Sequence, residues 1–307
     1  NEKSLNLKSY FPSSNEIIKL KNHKIKISFT KNVLNITGDG NFFLKDKADF
    51  LTYKIIKKDN QISFDTKIDI KNNQLNINLL DYEKKEGIES NISIKGIRKK
   101  NKDVLFKLIS LNENKNKILI KNLFFNKDFK IINLASFEAN YKNDKKIFNE
   151  FKLKKNNSKY TLRGNTFDAT ELINIIMNSK ETNASIFKNF NPIIDINFKK
   201  TYIDKVNYIN NLSGYLSFKN DKLNKLNLIS TFPNDEKINL SIVTNNKNET
   251  TTKLFTGYPK PLVERYDFIK GFDEGNLDFY SFKNKNKSNS VLIIRLSNSS
   301  KLSESTT

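Results

Sequence analysis

The chain contains no cysteine, no tryptophan and a single histidine in 307 residues. Without cysteine there are no disulfides, no thiolate metal sites, no iron–sulfur clusters and no thiol nucleophile. With one imidazole, any hydrolytic triad would have to be built on His23. That residue sits in the polar stretch Lys21-Asn22-His23-Lys24, which reads as a connection with an exposed, inert histidine, and no G-x-S-x-G signature exists for it to serve. Nine glycines and five prolines are too few for a collagenous or low-complexity chain. No calcium-loop or phosphate-loop glycine pattern occurs. Carboxylates are sparse: Asp65 and Asp69 alternate onto the polar face of one strand, and Asp273 and Glu274 share a turn. These absences point to a protein with no catalytic residues, no metal and no cofactor. No stretch approaches the ~20 apolar residues of a membrane-spanning helix. The chain opens on Asn1 instead of Met and reads as a fragment or a processed form.

What is abundant is lysine, asparagine, isoleucine and phenylalanine. Lys and Arg total 54 against 33 Asp and Glu, a net charge of +21. Such an excess invites phosphate-rich partners. The lysines are scattered, however, and beyond short clusters such as Arg98-Lys99-Lys100 and Lys152-Leu153-Lys154-Lys155 there is no basic arm. The bias matches an A+T-rich coding sequence, so no nucleic acid is expected as a partner. Phe124-Phe125-Asn126-Lys127-Asp128-Phe129-Lys130 interleaves aromatics with cations, yet phenylalanine on the dry face of a strand reads first as core.

The strongest local pattern is period-two alternation, which places successive side chains on opposite faces of a sheet. It appears at Ile25, Ile27 and Phe29, at Ile62, Phe64, Thr66, Ile68 and Ile70, and at Leu75, Ile77 and Leu79. It returns at Ile92 and Ile94, Leu226 and Leu228, Ile238, Leu240 and Ile242, and Leu277 and Phe279. Between these runs lie short Asn/Asp/Lys links such as Lys57-Lys58-Asp59-Asn60 and Asn156-Asn157-Ser158, which join consecutive strands as antiparallel hairpins. The expected architecture is mainly β: an elongated, curved antiparallel meander with two or three short helices. Helices are expected over 168–177, where Asp168 caps and Glu171 completes a capping box, over Pro261 to Tyr266, and over Ala184 to Phe190. Residues 1–160 read as uninterrupted meander and 161–296 as the helix-punctuated section. The Ser/Thr/Asn-rich stretch 297–307 reads as a disordered tail.

Alternation over so many strands makes one face apolar throughout. A second sheet can fill that face, giving a closed β-sandwich with a structural or adhesive role. Left uncovered, it is a hydrophobic trough that suits acyl chains, with phosphate headgroups at a lysine-rich rim. Both readings, and salt-sensitive polyanion binding behind them, follow from the pattern. The positions assigned to a groove lining are Leu216, Phe218, Leu226, Leu228, Leu240, Ile242, Leu277 and Phe279.

Three passages carry a family resemblance. They are Leu162-Arg163-Gly164-Asn165-Thr166-Phe167-Asp168-Ala169-Thr170-Glu171-Leu172, then Leu212-Ser213-Gly214-Tyr215-Leu216-Ser217-Phe218 with Leu226 to Phe232, and last Thr256-Gly257 through Ile269-Lys270-Gly271 to Glu274-Gly275-Asn276-Leu277-Asp278-Phe279. Over about residues 160 to 283 they resemble the AsmA-like group of Gram-negative envelope proteins, which includes the DUF3971 and TamB-type members of alphaproteobacteria. Two departures stand out. The closing helix opens on Tyr258-Pro259-Lys260-Pro261 instead of an Asp-Ala-Gly type start, and the family's double glycine reads Glu274-Gly275. The resemblance implies a periplasmic β-groove anchored to the inner membrane through a segment outside this chain. It further implies that the groove carries phospholipid between inner and outer membrane, with envelope-assembly proteins as further partners.

Overall fold

A computed structural model of the chain describes residues 10–12, 14, 18–44, 46–100, 103–128, 130–178, 191–219, 222–266, 275–284 and 288–295. The first half contributes β1 (Lys19–Thr30), β2 (Val33–Phe43), β3 (Ala48–Lys58), β4 (Gln61–Ile70), β5 (Leu75–Ile77), β6 (Tyr82–Lys84), β7 (Ser90–Arg98), β8 (Val104–Glu113), β9 (Asn116–Phe125) and β10 (Ile131–Lys142). Then come β11 (Phe148–Asn156), β12 (Lys159–Asp168), α1 (Thr170–Asn178), β13 (Ile193–Tyr202), β14 (Tyr208–Lys219) and β15 (Lys222–Thr231). The chain closes with β16 (Lys237–Thr244), β17 (Thr250–Thr256), α2 (Lys260–Tyr266), β18 (Asn276–Lys283) and β19 (Ser288–Arg295).

Each strand pairs with the next along the chain, except that β4 pairs with β7 across the β5–β6 hairpin. The result is one long, curved, open sheet of 17 strands with β1 and β19 at its edges. The expected meander is therefore the observed fold, with two corrections. One pair, β12–β13, is parallel. Parallel neighbours need a crossover of a dozen or more residues, and the helix-bearing passage after Asp168 supplies it. Leu75, Ile77 and Leu79 also do not extend the main sheet: β5 pairs only with β6, and Leu79 lies in a 3-10 turn at Asn78–Leu80, 48% exposed.

The sheet runs without a break across residue 160, which lies within β12. Among the described residues the one further sheet is the two-stranded β5–β6 hairpin, which covers one margin of the apolar face and leaves the rest without the second layer of a closed sandwich. Four clusters of buried side chains form instead, all along one margin. In the first, Leu75, Leu80 and Tyr82 of the hairpin segment pack on Leu111, Ile118, Ala139, Tyr141, Phe151 and Phe198. Phe42, Leu44 and Ile70 continue that margin toward β1. Toward β19, Ile173 of α1 and Leu262 of α2 pack around Ile203, Ile209 and Phe232, and Val263 of α2 covers Leu277.

The helix expected over 168–177 runs from Thr170, so Ala169 holds the N-cap position and Asp168, one residue before it, accepts a hydrogen bond from the Thr170 amide at 2.9 Å. Glu171 closes no capping box; its carboxylate faces Lys145 at 3.8 Å. His23 is not in a connection. It lies within β1 beside a bulge at Asn22 (φ 51), half-buried, with its ring stacked on Tyr53 and Nε2 3.2 Å from the Tyr53 hydroxyl. The bulge turns the imidazole across β2, over Gly40, to Tyr53 of β3, which polar flanking residues do not reveal. The Ala184 to Phe190 helix, the Asp273-Glu274 turn, Ile269-Lys270-Gly271 and the 297–307 tail lie outside the described residues.

Candidate functional site

Strand registers convert the alternation into rows that run across the sheet. The middle row reads Ile25, Gly38, Tyr53, Thr66, Ile94, Ile109, Ile120, Phe137, Leu153, Leu162, Ile196, Gly214, Leu228, Leu240, Leu254, Phe279 and Leu292, directly opposite one another strand by strand. It crosses all 17 strands. At the usual ~4.8 Å between strands it is about 77 Å long. One residue along each strand the chemistry inverts: the adjacent row reads Lys26, Thr37, Lys54, Asp65, Lys95, Leu108, Lys121, Ser136, Lys154, Thr161, Asp195, Tyr215, Asn227, Ser241, Lys253, Tyr280 and Val291.

Two further apolar rows flank the middle one. Toward the covered margin lie Leu51, Ile68, Ile92, Leu111, Ile118, Ala139, Phe151, Gly164, Phe198 and Leu212, with Ile238, Thr256 and Leu277 beyond them. Toward the opposite margin lie Ile27, Ile36, Ile55, Phe64, Gly96, Phe106 and Leu123, and in the second half Tyr160, Ile194, Leu216, Leu226 and Ile242. A bulge with Asn122 at φ 49 corrects the phase where β9 would otherwise turn its end outward, so Leu123 and Phe125 rejoin the apolar face against Phe106. In the middle row Ile94, Ile109, Ile120, Phe137, Leu153, Leu162, Ile196, Leu228, Leu240, Leu254 and Phe279 are half-buried. Of these, Phe137, Leu162 and Ile196 border the cluster beneath the hairpin, and Leu254 and Phe279 the cluster beneath α2.

The two margins differ. One is capped by the β5–β6 hairpin and by α1 and α2; no described element packs over the other. The capped margin is fastened by a buried polar network. Asp49, 5% exposed, accepts hydrogen bonds from the amides of Lys71, Asn72 and Asn73 at 2.8, 2.8 and 3.1 Å and from Asn73 Nδ2 at 2.8 Å. The fully buried Lys84 ammonium donates to the carbonyls of Lys71 and Asn73 at 2.9 and 2.8 Å, so the turn entering the hairpin is held by its N–H groups on one side and its C=O groups on the other. Burial holds that ammonium below the ordinary lysine range. The Tyr82 hydroxyl donates to Glu113, and the Tyr141 hydroxyl to the Leu80 carbonyl at 2.7 Å. Burial first, and then neighbouring carboxylates, push both phenols above the ordinary tyrosine value. Replacing Asp49 with alanine leaves three amides and the Asn73 side chain without their acceptor. This is expected to release the hairpin at a local cost of about 2–4 kcal/mol. Hydrogen exchange checks it: amides of 71–86 should speed up while those of β15 and β16 stay slow, and unchanged exchange at 71–86 would remove Asp49 as the anchor.

Charge divides the same way. The links of the uncapped margin carry Lys31, Lys57, Lys58, Arg98, Lys99, Lys100, Lys127, Lys130, Lys155, Lys159, Lys219, Lys222, Lys247 and Lys283 against Asp59, Asp103, Asp128 and Glu249 among the described residues. The capped margin interleaves its lysines with Asp46, Asp81, Glu83, Glu86, Glu89, Asp144, Glu171, Asp204, Asp235, Glu236 and Glu264.

All eight positions assigned from sequence fall on the apolar face. Leu228, Leu240 and Phe279 lie in the middle row, Leu216, Leu226 and Ile242 in the row beside the uncapped margin, and Leu277 in the capped row, fully buried. Phe218 stays on that face because β14 is regular from Leu216 while its partner β15 takes up the register shift, so Phe218 meets Leu223. What the sequence reading omitted is the first half of the same rows, from Ile25 to Leu153, where the same alternation was the available signal. Phe124 and Phe125 point to opposite faces, Phe124 lying under the Lys99 ammonium at 5.7 Å, so they form no stacking platform together. Among the described residues no cluster of metal-ligating side chains occurs and no helix is long and apolar enough to cross a membrane. No family model, curated protein or solved structure matches the chain.

Proposed function

We propose that this chain is a non-catalytic lipid-binding and lipid-transfer protein of the cell envelope, carrying phospholipid acyl chains along the apolar rows between inner and outer membrane. The observation that carries the reading is the middle row: apolar almost without interruption over 17 strands, and half-buried where a sandwich core would be dry. Each methylene laid onto such a surface leaves water with a gain of about 0.8 kcal/mol, so an acyl chain needs no specific contacts to be held, and equivalent positions along the row let it slide. The uncapped margin lets a headgroup stay in water while its tails lie on the rows. The lysines of that margin place cations where phosphates would sit. The periplasmic setting and the inner-membrane anchor are part of the same proposal and rest on the resemblance over residues 160 to 283.

The test is native mass spectrometry with lipid extraction on protein purified without detergent from a bacterial host. Co-purifying phospholipid, lost together with its mass increment on delipidation, is the expected result. A lipid-free protein that also fails to take up phospholipid from vesicles would end the proposal.

A further inference from the structure

At β1 the apolar rows stop in mid-pattern. Ile25, Ile27 and Phe29 continue the apolar face, yet they are 58%, 64% and 70% exposed, whereas Ile36 and Ile55, next in the row of Ile27, are half-buried. The difference is one missing neighbour. Among the described residues β1 pairs only with β2, so the N–H and C=O groups on its other side form an edge 12 residues long that no described strand takes up. Edge strands are commonly blunted by lysines, bulges, proline or short length, and β1 carries a bulge and four lysines, Lys19, Lys21, Lys24 and Lys26, so it disfavours pairing with a strand that brings no negative charge. The strand holds no proline, Asp or Glu. Elsewhere on the polar face, lysines meet carboxylates across strands, as Lys95 meets Asp65 at 2.9 Å and Lys152 meets Glu138 at 2.7 Å. On β1, Lys24 stands opposite Asp39, whereas Lys26 faces only Thr37 on its paired side.

We infer that β1 is a docking edge for one further β-strand, supplied by another polypeptide and laid antiparallel, in which aliphatic residues alternate with carboxylates. The backbone supplies the pairing. The aliphatic residues extend the two apolar rows past Ile25 and Ile27 and cover Phe29, and the carboxylates meet Lys26. A second copy of this chain does not fit that description. The chain carries a net charge of +21, and its other edge, β19, has no Asp or Glu to set against these lysines.

A short synthetic peptide alternating glutamate with isoleucine is the probe, added to the full chain and followed by hydrogen exchange and fluorescence anisotropy. Slowed exchange confined to 20–30 is expected, with binding weakened at least tenfold by Ile27→Lys and abolished when lysine replaces glutamate in the peptide. Ile27 is exposed enough that its variant keeps the fold, which circular dichroism checks. Protection elsewhere on the sheet, undiminished binding by Ile27→Lys, or equal binding of the lysine peptide would each overturn the inference. Concentration-dependent self-association that protects 20–30 would overturn it too, by giving the edge to a second copy. None of these outcomes depends on whether lipid occupies the rows.

Discussion

Replacing Gly214 with alanine is expected to destabilise the chain by about 3 kcal/mol or more. Two independent penalties act there. The backbone sits at φ +143, a region that side-chain-bearing residues rarely adopt, and an added Cβ would lie 1.9 Å from the Asn227 carbonyl oxygen and 3.0 Å from Leu228 Cα. Both neighbours are backbone of β15, hydrogen-bonded on either side, so they cannot move without dragging the sheet. The cost is a large share of the 5–15 kcal/mol that holds an ordinary domain together. Gly87→Ala is the control: φ is +82 but nothing lies within 4 Å of the added atom, so strain acts alone and about 1 kcal/mol is expected. Urea unfolding followed by circular dichroism distinguishes the two. Equal midpoint shifts would mean that close packing of β15 on Gly214 contributes nothing.

Gly214 also shows how far the sequence could be read. It belongs to the passage Leu212 to Phe218 that carries part of the family resemblance, and in the fold it stands in the middle row between Ile196 and Leu228. Alternation identified the sheet and both faces because the side-chain period of a strand is fixed by geometry. It put the eight positions named in the second half on one face, as the registers do. It did not reveal that β12 and β13 run parallel, since pairing sense depends on the length of the connection and not on the strand residues. It also did not separate Leu75 and Ile77 from the main sheet: a three-residue hairpin has the same pattern as a strand end. The network of Asp49, Lys84 and Glu113 was not legible at all. Its members are distant in sequence, sit at strand ends or in links where charged residues normally face water, and become a buried set only once the hairpin folds back over the apolar margin.

Introducing glutamate at both Leu228 and Leu240 is expected to abolish lipid capture while the sheet stays folded. The two residues are directly opposite each other on β15 and β16, within the second half of the middle row, with Gly214 on one side and Leu254 on the other. Cross-strand Cβ atoms in such a pair lie roughly 5 Å apart, so two carboxylates there form one anionic band across the path of an acyl chain. A sliding tail would have to strip water from both, which costs more than the few methylenes at that point gain. The fold is spared because both positions are half-buried and open toward solvent, so the carboxylates stay hydrated when no lipid is present. The matched control is Asn227→Glu with Ser241→Glu, also directly opposite each other on the same two strands but on the polar face. With a photoreactive residue at Leu254, crosslinking to phospholipid should fall at least tenfold in the first double variant and stay at the parent level in the second. If both variants crosslink like the parent, the apolar rows are not the lipid path. If both lose crosslinking equally, added negative charge alone repels the lipid and the face assignment fails. Only a difference between two pairs one residue apart ties lipid binding to the side of the sheet on which the alternation places leucine.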